Sequence, residues 1–140
     1  METPIAKITV ETTVNAPVQK VWQLWSTPEH ITKWNSPSDD WHTPQAENDL
    51  RVGGQFLSRM EAKDGSFGFD FSGIYEEVNE FELISYGLAD GRKVSVEFES
   101  NGNQTKITET FDPENINPRD MQTAGWQAIL NNFKKYAEAN

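Results

Sequence analysis

Polar and apolar positions alternate from the start of the chain. Between residues 5 and 14, Ile8, Val10, Thr12 and Val14 fall on one face and Thr9, Glu11 and Thr13 on the other, the period of a half-buried strand. At Asn15-Ala16-Pro17 the period becomes helical: Val18, Val21, Trp22 and Trp25 follow at i, i+3, i+4 and i+7, and proline suits a first helical turn. Thr27-Pro28-Glu29 repeats the start signal, with Thr27 expected as a hydroxyl cap and Ile31 and Trp34 on one stripe. Residues 35–52 hold no sustained period and carry Pro37 and Pro44. A stretch this long is unusual as a plain connector, so a rim or lid is expected there.

Alternation returns with Phe56, Ser58, Met60 and Ala62, turns at Asp64-Gly65 and continues through Phe67, Phe69 and Phe71. A two-residue loop places Lys63 against Ser66, Arg59 against Asp70 and Met60 against Phe69, making one face aromatic and the other ionic. Strands are predicted at 74–78 and 83–88 and, beyond Asp90-Gly91, through Val94, Val96 and Phe98. Asn101-Gly102 then turns into Thr105, Ile107, Glu109 and Phe111, a register that faces Glu97 with Lys106 outside and Val96 with Ile107 inside. Asn117 is expected to cap a last helix with Pro118 first and Asp120 in the capping-box place; Met121, Trp126, Ile129, Leu130, Phe133 and Ala137 form its apolar stripe. Its roughly 20 residues would span about 30 Å. One strand, two short helices, a run of antiparallel strands and a long helix predict an α+β fold, with the C-terminal helix on the concave face of a curved sheet.

Composition narrows what such a fold does. The 140 residues suit one domain, and no repeat or linker interrupts them. With 22 acidic against 12 basic side chains the formal charge is −10, so the overall field repels phosphate backbones and anionic lipid, and no nucleic-acid partner is expected. The start, Met1-Glu2-Thr3-Pro4, has neither a basic nor an apolar leader segment, and no apolar run is long enough to span a bilayer. A cytoplasmic protein without membrane insertion is expected. Cysteine is absent, which removes disulfides and thiolate chemistry and fits a reducing compartment. The 5 Trp, 8 Phe and 3 Tyr concentrate large rigid apolar area in few positions, so the core can enclose space instead of filling it.

Four stretches carry a family resemblance across nearly the whole chain. Asn15-Ala16-Pro17 leading into Val21-Trp22, the run Asn48-Asp49-Leu50-Arg51-Val52-Gly53-Gly54, the strand Gly73-Ile74-Tyr75-Glu76-Glu77-Val78, and Gly125-Trp126-Gln127-Ala128-Ile129-Leu130 resemble the family related to the C-terminal domain of activators of the heat-shock protein 90 ATPase. That family belongs to the START-like or SRPBCC superfamily, typified also by the birch-pollen allergen. The resemblance implies a helix-grip fold around a hydrophobic cavity, in relatives of which lipids, sterols, flavonoids or polyketides bind and some members act as cyclases. The eukaryotic activators use a further N-terminal domain for which these residues leave no room, so chaperone activation is not carried over.

Candidate chemistry is sparse. Trp22, Trp25, Trp34, Trp41 and Trp126, with Phe56, Met60, Phe69, Phe71, Phe111, Leu130 and Phe133, are expected to point inward, either as the walls of a ligand cavity or as plain core. Glu109 shares the inward face of Ile107 and Phe111. It is read as a handle for a ligand hydroxyl or amine, as a general acid, as the ion-pair partner of a basic side chain such as Arg92, or as reaching solvent at the strand end. Asp39, Asp40 and His42, with Trp41 over the cavity mouth, are a weak metal grouping, since His30 lies on another element, and no metal or cofactor is expected. Arg59 with Asp70 and Lys106 with Glu97 are expected as outer-face pairs. Gly53-Gly54 lacks the helix and Lys-Ser/Thr of a phosphate loop and suits a tight turn. The leading expectation is a ligand-binding protein, monomeric or weakly dimeric, holding a small apolar or aromatic molecule. The alternatives are a cyclase-like or hydrolytic enzyme using Glu109 or His42, and a protein-interaction module whose exterior meets a chaperone or other partner.

Overall fold

The computed structural model describes residues 6–140; Ile5, the first position of the expected opening strand, lies outside them. Ten elements follow in order: β1 (Ile8–Val14), α1 (Val18–Ser26), α2 (Pro28–Trp34), β2 (Trp41–Asn48), β3 (Gln55–Ala62), β4 (Gly68–Asn79), β5 (Leu83–Leu88), β6 (Lys93–Asn101), β7 (Gln104–Phe111) and α3 (Arg119–Ala139). The strands make one antiparallel sheet in the order β1-β7-β6-β5-β4-β3-β2. The chain leaves one edge at β1, crosses by α1 and α2 to the other edge at β2, and meanders back until β7 pairs with β1. The sheet curls, and α3 packs against β1 and against both short helices. This is the expected α+β helix-grip arrangement.

The inward alternation of β1 and β7 holds: Val14, Thr105, Ile107 and Phe111 are almost wholly buried and Glu109 lies among them. Leu130, Phe133 and Ala137 supply the matching stripe of α3. The β3–β4 hairpin has the expected register, with Arg59 opposite Asp70 and Met60 opposite Phe69, and Arg59 reaches Asp70 at 3.3 Å and Glu61 at 2.8 Å.

Several expectations are corrected. Residues 41–48 form an edge strand, not an irregular rim; its register shifts between His42 and Gln45, around Pro44. Proline is tolerated at a bulge on an edge, and the bulge erases the period that would have revealed the strand. The segment at 74–78 belongs to one long strand continuous with the hairpin, bulged between Tyr75 and Glu77. The β6–β7 turn sits one position further on, because Asn101 pairs with Gln104. Glu97 therefore faces Thr108 and Val96 faces Glu109, while Lys106 faces Glu99 and reaches Glu11 on β1 at 3.6 Å. Neither Thr27 nor Asn117 caps a helix with its side chain; Pro118 holds the N-cap position of α3, and the Asn117 amide donates to Glu114 Oε1. Met121, expected on the buried stripe, is 60% exposed.

The Asp49–Gly54 run closes the β2–β3 turn. Gly53 has φ 83°, a left-handed conformation that disfavours a side chain. A Cβ on Gly54 would lie 2.0 Å from the Asp49 carbonyl oxygen, so only glycine fits. The turn is tied to β4 by Gly53 N–H donating to the Tyr75 carbonyl at 2.8 Å.

Candidate functional site: an aromatic cavity with a buried acid

Because α3 leans on β1 and the short helices, it leaves space between itself and the far half of the curled sheet. That space is a cavity of about 420 Å³, within the range of sites that take small molecules. Its floor is aromatic. Phe56 on β3 packs against Phe71 and Tyr75 of β4 and Tyr86 of β5, with ring centroids 5.7, 5.5 and 4.7 Å away. Its far wall is the Trp25–Trp34 pair, 4.9 Å apart. Its roof is one face of α3, where Gly125, Trp126 and Ile129 look down. Trp126 is fixed from behind by stacking on Phe111 at 3.9 Å and 14°. The β3–β4 hairpin runs past the end of β5, where Gly73 meets Leu88, so Phe67 and Phe69 near its tip have no strand beside them on that side and stay 61% and 41% exposed. Trp41 packs against both of these rings, and Phe69 and Met121 rim the mouth.

Of the residues expected from the sequence, Trp25, Trp34, Trp41, Phe56, Met60, Phe69, Phe71, Glu109 and Trp126 all line this one cavity. Trp22, Phe111, Leu130 and Phe133 do not; they form the packing behind it. Trp22 lies edge-on to Phe81 and Phe98, and Phe133 packs edge-on against both Trp25 and Trp34, 4.9 Å from each ring. Helical spacing identifies the buried stripe, but whether a residue meets void or protein depends on how far the sheet curls from the helix.

Glu109 is the polar landmark. It is 6% exposed, faces the cavity, and burial alone pushes its carboxyl up to about 8. Arg92, the expected partner, lines the same cavity, but its Nε donates to Asp90 Oδ2 at 2.7 Å within the β5–β6 turn. Glu109 thus meets neither arginine nor bulk solvent. Among the described residues no other basic side chain lines the cavity, where Glu47 and Glu114 also appear. His42, the other expected acid or base, lies outside the cavity, 3.7 Å from Glu61. Asp40 is bonded by Ser38, and no three metal-ligating side chains converge among the described residues.

Sequence reasoning missed the tyrosines. Tyr86 lies on the inward face of β5, 9% exposed; burial first, then Glu109 and Tyr75, raise its hydroxyl well above the ordinary value. Tyr75 is raised as well, chiefly by burial, and donates to Asn48 Oδ1, whose amide donates to the Ser26 carbonyl at 2.6 Å. Both fall within the strands predicted at 74–78 and 83–88, but a tyrosine on an inner face reads as core until its hydroxyl is located. Gln122 was also missed. It is 8% exposed and staples the loop before α3: Nε2 donates to the Glu114 and Asn117 carbonyls and Oε1 accepts from Glu114 N–H.

Comparison with solved structures gives the same architecture. The AHSA1-like protein from Aeromonas hydrophila superposes with a TM-score of 0.88 at 45% identity, over 95% of this chain and 92% of that one. Chr148 from Cytophaga hutchinsonii gives 0.83 at 54% identity, over 96% and 93% of the two chains. NE0264 from Nitrosomonas europaea gives 0.82 at 19% identity, over 99% and 97%, a likeness of fold alone. No curated protein matches. Among the described residues no helix is long and apolar enough to cross a membrane. Residues 15–138 match the family model described as Activator of Hsp90 ATPase homolog 1-like protein, and the chain belongs to that family.

Proposed function

We propose that this protein binds a small hydrophobic or aromatic molecule in the cavity between α3 and the sheet. The observation that carries the reading is an open space of about 420 Å³ walled by Trp25, Trp34, Phe56, Phe71 and Trp126 where a core of this composition would otherwise close. Native interiors are packed to crystal density, so a space this large costs stability that a bound apolar molecule restores. In this reading the 140 residues act as one START-like domain, monomeric or weakly dimeric, in the cytoplasm. The cysteine-free, acidic composition supports that setting.

Gly125 provides a test that spares the fold. A Cβ there meets nothing within 4 Å, and the position lines the cavity. Gly125→Ala is expected to stabilise the protein by about 0.5–1 kcal/mol through helix propensity alone. Gly125→Leu is expected to keep the fold and to weaken binding of a neutral aromatic probe at least about tenfold, which is 1.4 kcal/mol of lost contact. Titration of tryptophan fluorescence with naphthalene derivatives measures this. Unchanged affinity in a folded Gly125→Leu protein would place the ligand elsewhere.

A further inference from the structure

Among the described residues, three buried polar side chains line this apolar space without a hydrogen bond to the protein, Ser58, Glu109 and Tyr86, and the last two lie near each other on the sheet. Glu109 on β7 and Tyr86 on β5 are 6% and 9% exposed, and both line the cavity. They flank β6 on the sheet's inner face: Glu109 pairs with Val96 and Tyr86 with Val94, so the two lie diagonally across one strand. No ion pair or hydrogen bond within the described chain engages the Glu109 carboxyl, and no buried side-chain polar atom is sealed away without a partner. Their unused hydrogen-bonding capacity is therefore directed at whatever fills the cavity. Buried polar groups left unmatched cost about 1–3 kcal/mol each, so a ligand that satisfies them is strongly preferred over one that does not.

We propose that the Glu109 carboxylic acid and the Tyr86 hydroxyl form a two-donor clamp that selects neutral apolar ligands carrying a carbonyl oxygen. The inference rests on the cavity being a ligand site. Both groups hold their protons at neutral pH, because burial raises both and an ionised Glu109 raises Tyr86 further. Each therefore presents an O–H, and a carbonyl oxygen has two lone pairs to accept them. The surrounding charge argues the same way. Glu47 and Glu114 share the lining, and the guanidinium of Arg92 is held by Asp90. A carboxylate or sulfonate ligand would meet three acids and one cation already paired to Asp90; a neutral ketone meets two donors in a low-dielectric wall of rings, where hydrogen bonds are strongest.

Four naphthalenes of similar size separate the outcomes at pH 7: acetylnaphthalene, its isopropenyl isostere lacking the acceptor, naphthoate and naphthylmethylamine. The ketone is expected to bind about tenfold or more tightly than the isostere and the carboxylate. Tyr86→Phe, which removes one donor and little volume, is expected to cut that preference about three- to tenfold, by weakening the ketone and by relieving the unmatched hydroxyl that the isostere leaves. Infrared difference spectra are expected to show the bound ketone's carbonyl stretch at lower wavenumber in the parent protein than in Tyr86→Phe. Equal affinity for ketone and isostere would overturn the clamp and leave the cavity reading standing. Tightest binding of naphthoate or of the amine would also overturn it, the amine by showing that Glu109 serves as an anion. Failure of all four to bind would remove the cavity reading for such molecules and the clamp with it.

Discussion

Glu109→Gln is expected to make the protein more stable at alkaline pH, and by an amount that grows with pH. The carboxyl titrates near 4.5 when exposed and near 8 in the folded protein. Between these values the folded chain holds a proton that the unfolded chain has lost, so stability falls as pH rises through that window. Below the window both states are protonated; above it both are ionised and the loss is complete. The slope is up to about 1.4 kcal/mol per pH unit, and the accumulated difference is on the order of 4 kcal/mol by pH 8. Glutamine has nearly the shape of the protonated acid and cannot ionise, so parent and variant should coincide near pH 4.5 and diverge above it. The other titratable or charged groups around the cavity are Tyr75, Tyr86, Arg92, Glu47 and Glu114; both proteins carry them, so they cancel in the comparison. Urea unfolding at a series of pH values measures the effect. A constant difference across pH would mean that Glu109 has a partner in the folded protein.

Phe133→Ala is expected to destabilise the fold by about 3–5 kcal/mol, lowering Tm by on the order of 10 °C. Phe133 is fully buried and packs edge-on against both Trp25 and Trp34. Removing the ring frees both indoles that form the far wall, so ligand affinity should fall together with stability. Differential scanning calorimetry and tryptophan fluorescence check the two halves of this expectation. A loss under about 1 kcal/mol would mean that the indoles collapse to fill the gap.

The two discussed residues show what the sequence made legible. Phe133 and Glu109 were both placed on inward faces by period alone, since 3.6-residue and two-residue repeats report direction relative to the core. Direction is not surroundings. Phe133 and Phe111 meet packed rings, whereas Trp126 and Glu109 meet open space, and that difference arises from the curl of the sheet and from α3 leaning on one edge. The ion pair expected between Glu109 and Arg92 failed because a nearer acid, Asp90, takes the guanidinium within its own turn. Strand β2 was hidden by its bulge at Pro44, and the β6–β7 register slipped because Gly102, at φ 65°, takes the first place in the turn. Local turn chemistry decides such details, and a dipeptide signal alone leaves its position open by a residue.

The cavity contains its own control for the central claim. Trp25, Trp34 and Trp126 line it, while Trp22 is buried outside it against Phe81 and Phe98. Indole N–H chemical shifts recorded during titration with acetylnaphthalene, and with a panel of lipids, flavonoids and polyketide-like aromatics, resolve these side chains individually. Binding in the cavity predicts saturable shifts of Trp25, Trp34 and Trp126 with Trp22 the least affected. Shifts confined to outer-face residues, or no indole shift across the whole panel, would contradict it.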